Sequence, residues 1–225
     1  MVYQGRSASW LVMTTSFKAA SLAAGATATA GVGTLAFKGL SPSKEEKSIS
    51  SLLSKDRTKR AIAVDESTAW TSAWASYKSS SKDSWKLGNG QDVPEGFKNI
   101  CRDKLESKVS GTDSRDYQDF LSYCARDTLI SDLLKDSKLT PLSKTDADSS
   151  EGWKKAWEGY IEANKEKLNG DDAWKVKDFK TEKDKKDKAL ADFRDKCETH
   201  LGSKDISNTT LFDQVKGWCT KTSEQ

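Results

Sequence analysis

Histidine is nearly absent from this chain: His200 is the single one in 225 residues, beside three prolines, two methionines and four cysteines. One histidine leaves no imidazole cluster for a catalytic metal, and the cysteine spacings are not those of a zinc finger. No metal and no cofactor are therefore expected. The motifs GxSxG, HExxH and a phosphate-cradling glycine loop followed by Lys and Ser/Thr are missing too, which removes the commonest routes to a hydrolase or nucleotide enzyme. Charge of one sign is also missing. The 37 Lys and Arg stand among 34 Asp and Glu, for a net +3, so there is no one-signed field of the kind that marks a nucleic-acid binder. The run from Lys175 to Lys188 looks basic, but Asp178, Glu182, Asp184 and Asp187 interrupt it, and it reads as a solvated helix face. Finally, no stretch alternates apolar and β-branched residues with polar ones over a strand's length, so a sheet is not expected.

What is present is a polar region written twice. Ile49, Leu52 and Leu53 lead to Trp70, Trp74 and Tyr77, then Phe97, Cys101 and Cys124. The same order returns as Ile130, Leu133, Leu134, Trp153, Trp157, Tyr160, Phe193, Cys197 and Cys219. Self-similarity in fixed order points to a duplicated module. In each copy the Trp, Trp and Tyr stand at i, i+4 and i+7, on one face of a helix. Asp65, Glu66 and Ser67 before the first such helix, and Asp148, Ser149, Ser150 and Glu151 before the second, offer cap oxygens and negative charge. A second stripe is Phe97, Ile100, Cys101 and Leu105, matched by Leu190, Phe193, Cys197 and Leu201. A third is Tyr117, Phe120, Leu121 and Cys124, matched by Leu211, Val215 and Cys219. The spacing predicts an all-α fold with two tandem, internally duplicated helical bundles, over residues 48–127 and 129–220. The repeated rings are expected in the cores; ligand-stacking platforms are the weaker reading, because polar residues fill the positions between them.

The cysteines of each copy lie 23 or 22 positions apart on faces expected to point inward. This favours Cys101 with Cys124 and Cys197 with Cys219, with buried free thiols as the alternative. His200 follows Cys197 by three positions, a spacing that suggests a thiol and base pair, yet Lys104 holds the corresponding place in the first copy. No third orienting group accompanies them, and no catalytic residue is assigned.

Ahead of the repeated region, residues 19–37 carry no charge between Lys18 and Lys38, a length that spans a hydrocarbon layer. The segment is rich in Ala and Gly, so it reads as a transmembrane or signal-anchor helix, as a cleaved signal, or as a small-residue helix buried in a soluble fold. Residues 1–18 form a polar leader within which Met13 begins an export-like pattern, which suggests translation from Met13. Lys38, Lys44, Lys47 and Lys55 after the segment outnumber Arg6 and Lys18 before it, which argues for a cytoplasmic polar region. Paired cysteines argue for export.

The Ala/Gly-rich start, the leucine pair of SISSLLSKD, the tryptophans of WTSAWASYK with a WKLG turn, the FxxxC helix and the closing cysteine helix resemble the paralogous uncharacterised families of haemotropic mycoplasmas. The resemblance covers the chain after Met13. Eight tryptophans also suit an organism that reads UGA as tryptophan. The likeness implies a membrane-associated, surface-exposed antigen or host-contact protein without catalysis or cofactor, tethered through residues 19–37 and facing a host or surface protein partner. The alternatives are a cytoplasmic-facing tethered scaffold with reduced cysteines and, more distantly, a hydrolase with an unrecognised site. The second copy departs from the first in that Trp174 follows Trp157 at a longer spacing than Trp85 follows Trp74, and Leu168 is offered as the match to Trp85.

Overall fold

The computed structural model describes residues 45–80, 82–167 and 170–221. The leader 1–18, the Met13 start, the segment 19–37 and Leu168 all lie outside the described residues. No described helix is long and apolar enough to cross a membrane. The described residues belong to one compact unit, Lys44–Gln225.

Nine helices and four short strands follow one another among the described residues. The first half holds β1 (Lys47–Ser48), α1 (Ile49–Leu53), β2 (Lys59–Ala61), α2 (Ser67–Ser79), α3 (Glu95–Glu106), β3 (Lys108–Val109), α4 (Arg115–Tyr123) and β4 (Ala125–Asp127). The second holds α5 (Ile130–Asp136), α6 (Glu151–Asn164), α7 (Phe179–Glu182), α8 (Ala191–Leu201) and α9 (Thr209–Trp218). The molecule is thus mainly helical, but not wholly so. β1 pairs antiparallel with β3, and β2 with β4 in the register Lys59↔Asp127, Arg60↔Arg126, Ala61↔Ala125. Ladders of two or three residues are too short to print a period-2 pattern on the sequence, which is why the expectation of an all-α chain needs correcting. They satisfy backbone groups where the chain leaves a helix, β3 just after α3 and β4 just after α4.

Two hydrophobic clusters divide the core. One gathers Ile49, Leu53, Trp70, Trp74, Tyr77, Phe97, Tyr117 and Phe120. The other gathers Ile130, Leu134, Trp153, Trp157, Tyr160, Phe193 and Val215, together with Val176 and Phe179. Each cluster closes in the same manner. Ile49 N donates to Ser107 O after α3, and Ile130 N donates to Ser203 O after α8. Ile62 N donates to Cys124 O, and Leu142 N to Cys219 O, so the segment after each leading helix returns to the end of the last one. The three-residue ladder of the first half shrinks in the second to a single bridge, Pro141↔Thr220.

Two local expectations change. Glu66 and Ser150 occupy the N-cap positions of α2 and α6 but make no side-chain cap bond. Side-chain caps appear on other helices, where Ser114 accepts from Tyr117 N and Asn208 from Leu211 N. The stretch 175–188 is not one solvated helix: only Phe179–Glu182 is helical, and Val176 and Phe179 are fully buried. Their two apolar side chains outweigh the surrounding charges because the lysines extend outward from the turns between them.

Candidate functional site

The repeated rings are all buried. In the first cluster Trp74 stacks on Tyr77 at 5.4 Å between centroids, and Phe97 meets Trp74 edge-on at 5.2 Å. In the second, Trp157 stacks on Tyr160 at 5.8 Å, and Phe193 meets Trp157 at 5.2 Å. Each indole N–H finds a carbonyl: Trp70 donates to Ala63, Trp74 to Gly90, Trp153 to Ser143 and Trp157 to Lys185. Rings so enclosed are packing groups, with no face left for stacking a ligand.

A turn seated on the tyrosine hydroxyl organises each cluster. Tyr77 Oη accepts from Trp85 N at 2.8 Å and donates to Asp83 Oδ1 at 2.9 Å. Asp83 Oδ1 also accepts from Leu87 N at 2.7 Å. In the second cluster Tyr160 Oη accepts from Trp174 N at 3.0 Å and donates to Asp172, which accepts from Val176 N at 2.7 Å. Lys86 and Lys175 both take a left-handed backbone, with φ of 56° and 53°. The matching segments are therefore Asp83–Leu87 and Asp172–Val176, each reading Asp-x-Trp-Lys-aliphatic. Trp174, not Leu168, stands where Trp85 stands. α6 continues past Tyr160 to Asn164, whose side chain accepts from Ala173 N and so secures the longer loop. The environments differ: Asp83 is exposed, while Asp172 is 2% exposed. Burial, reinforced by Asp172, holds the Tyr160 hydroxyl far above the usual phenol range.

The four cysteines form two disulfides, Cys101–Cys124 and Cys197–Cys219, with Cα separations of 5.3 and 5.6 Å. Each ties the middle of α3 or α8 to the end of the following helix, and none of the four is exposed. With Cys197 bonded, His200 has no thiol to activate. Its ring lies on Trp174 at 4.6 Å, as the Lys104 ammonium lies over Trp85 at 5.6 Å. Burial, then Lys196, lowers its affinity for a proton. Among the described residues no group of three or more His, Cys, Asp or Glu is placed to hold a metal ion.

The residues that join the two halves escaped the sequence reading. Arg126 on β4 donates to both Glu66 oxygens, at 2.8 and 2.9 Å from Nε, and to Asp132 Oδ2 at 2.6 Å. Asp132 on α5 also accepts from Leu129 N. Arg60 pairs with Asp136. Arg126 draws Glu66 below the usual carboxylate range. Burial would raise Asp132, but Arg126 outweighs it and the net direction is down. The signal available in sequence was weak: Arg126 stands two positions after Cys124 as Lys221 stands two after Cys219, but Lys221 pairs with Asp146 inside the second half, so the position by itself does not announce a junction.

Beside this junction a cleft of about 860 Å³ opens between the halves. Leu53, Arg57 and Arg60 line it from the first half, with Leu133, Asp136 and Phe212 from the second. No family model, curated protein or solved structure matches this chain. Its chemistry must be read from these residues alone.

Proposed function

We propose that the chain is a non-enzymatic, membrane-anchored surface protein, tethered through residues 19–37, whose two duplicated helical modules meet a host or surface protein outside the cell. The observation that carries this reading is the pair of buried disulfides, one in each small aromatic core. Bridges of this kind persist where the surroundings are oxidising and are rare where thiol reductants circulate. Duplication of an ancestral module is supported by the two tyrosine-seated Asp-x-Trp-Lys turns and by the two leading-helix hydrogen bonds to Ser107 and Ser203. Among the described residues chemistry-bearing groups do not converge: the sulfurs are bonded, His200 packs on an indole, and the carboxylates around Arg126 are engaged in pairing.

A membrane-impermeant protease or amine label applied to intact cells is expected to attack the modules. Intact mass before and after reductant is expected to rise by two hydrogens per bridge. Protection of the modules in intact cells, with four free thiols, would overturn this reading in favour of a cytoplasmic-facing scaffold.

A further inference from the structure

We propose that the cleft between the two halves binds an amphiphilic carboxylate, an apolar chain bearing one terminal anion. This goes beyond the contact role above and does not depend on it. The volume of about 860 Å³ falls within the range of small-molecule sites, roughly 300–1,000 Å³. Leu53 and Leu105 form the wall from the first half, and Leu133 and Phe212 the wall from the second. Leu105, Leu133 and Phe212 remain half-buried, so apolar surface faces the opening.

The polar groups left over at the cleft are what select the ligand. Thr128 lines it and is 1% exposed, yet its hydroxyl has no hydrogen-bond partner; Arg60 Nε makes no hydrogen bond either, but it faces Asp132 Oδ2 at 3.7 Å. Buried polar groups are nearly always satisfied, and the orphaned Thr128 hydroxyl beside the cleft points to a missing partner. The other cations are already engaged: Lys59 by Asp127, and the Arg60 terminal nitrogens by Asp136. Arg57, also in the lining, has no ion-pair partner among the described residues. The unused groups are therefore the Arg57 guanidinium and the Thr128 hydroxyl. A single carboxylate can accept from both; Asp56 and Asp136 line the cleft too, but Asp136 is held by Arg60 and Asp56 accepts from Thr58, which leaves Arg57 as the charge without a partner that a cationic head would meet. A chain with one anion at its end fits both the leucine walls and this polar corner.

The full chain is titrated with dodecanoate and, separately, with dodecyltrimethylammonium, each below the concentration at which it forms micelles, and heat is recorded. Saturable one-to-one binding of dodecanoate is expected, with the cation of equal chain length about tenfold weaker or absent. Arg57→Gln, an exposed site whose change leaves the fold intact, is expected to weaken dodecanoate about tenfold. Leu133→Trp fills the cleft and is expected to abolish binding, with retained helicity checked by circular dichroism. Absence of saturable dodecanoate binding, equal affinity for the two amphiphiles, or undiminished binding by both variants would overturn the proposal.

Discussion

At the residue scale, the two tyrosines show how one chemical arrangement has different consequences in different surroundings. Tyr77 and Tyr160 each hold an Asp-x-Trp-Lys turn, but Asp83 reaches water while Asp172 is enclosed. Removing the hydroxyl of Tyr160 leaves a buried carboxylate short of a donor and the Trp174 amide without its acceptor. Tyr160→Phe is therefore expected to destabilise the protein by about 2 kcal/mol, and Tyr77→Phe by clearly less, since water can replace the lost bond to Asp83. Urea denaturation followed by tryptophan fluorescence checks both; equal losses would contradict the account. Trp157→Ala should be costlier still, about 3–5 kcal/mol, because the ring is fully enclosed and its neighbours cannot collapse into the space.

The helices are held by two devices at the scale of elements, one covalent and one ionic. Each disulfide closes a separation of 23 or 22 residues, a constraint on the unfolded chain worth about 3 kcal/mol. Replacing both cysteines of either pair by alanine is expected to lower the denaturation midpoint accordingly, and reductant, which opens both bridges of the parent protein, is expected to lower it further. The ionic device is Arg126 between Glu66 and Asp132, with side-chain exposures of 19%, 28% and 8%. Both carboxylates sit below their ordinary values in the folded state, so the contribution is complete above about pH 5 and is lost as pH falls through the lowered folded values. Arg126→Gln is expected to cost about 2 kcal/mol at neutral pH, less than a wholly buried pair because the group is partly solvated. The difference between parent and variant should shrink as the solution is acidified, and a difference independent of pH would exclude the ionic origin.

For the whole molecule, the two cores share one compact unit without a flexible linker between them. β4 ends at Asp127, Thr128 N donates to Thr58 O, and α5 begins at Ile130. Lys59 and Lys204 both grip Asp127, which adds a further, weaker tie across the halves. Unfolding is expected as one cooperative transition, with calorimetric and van't Hoff enthalpies equal. Arg126→Gln combined with Asp132→Asn is expected to separate it into two, since the halves keep their own cores but lose the most buried ion pair between them. Differential scanning calorimetry decides between one transition and two.

Periodicity by itself determined which rings and sulfurs turn inward: Trp70, Trp74, Tyr77 and Phe97, with their partners Trp153, Trp157, Tyr160 and Phe193, could be read from a 3.6-residue repeat, because burial of an apolar face is a local property of a helix. The cysteine pairing could be read for a related reason, since each pair sits on faces that the same burial forces together. Spacing misled where a loop had lengthened. The six extra residues between Tyr160 and Asp172 shifted the turn in sequence while the tyrosine hydroxyl kept it fixed in space, so Trp174 went unpaired with Trp85 until the fold was in view. The junction around Arg126, the short ladders and the cleft belonged to tertiary structure alone. Arg126 meets Glu66 60 positions away inside the first half, and Arg60 meets Asp136 76 positions on in the second; such meetings depend on the finished packing and leave no period in the chain.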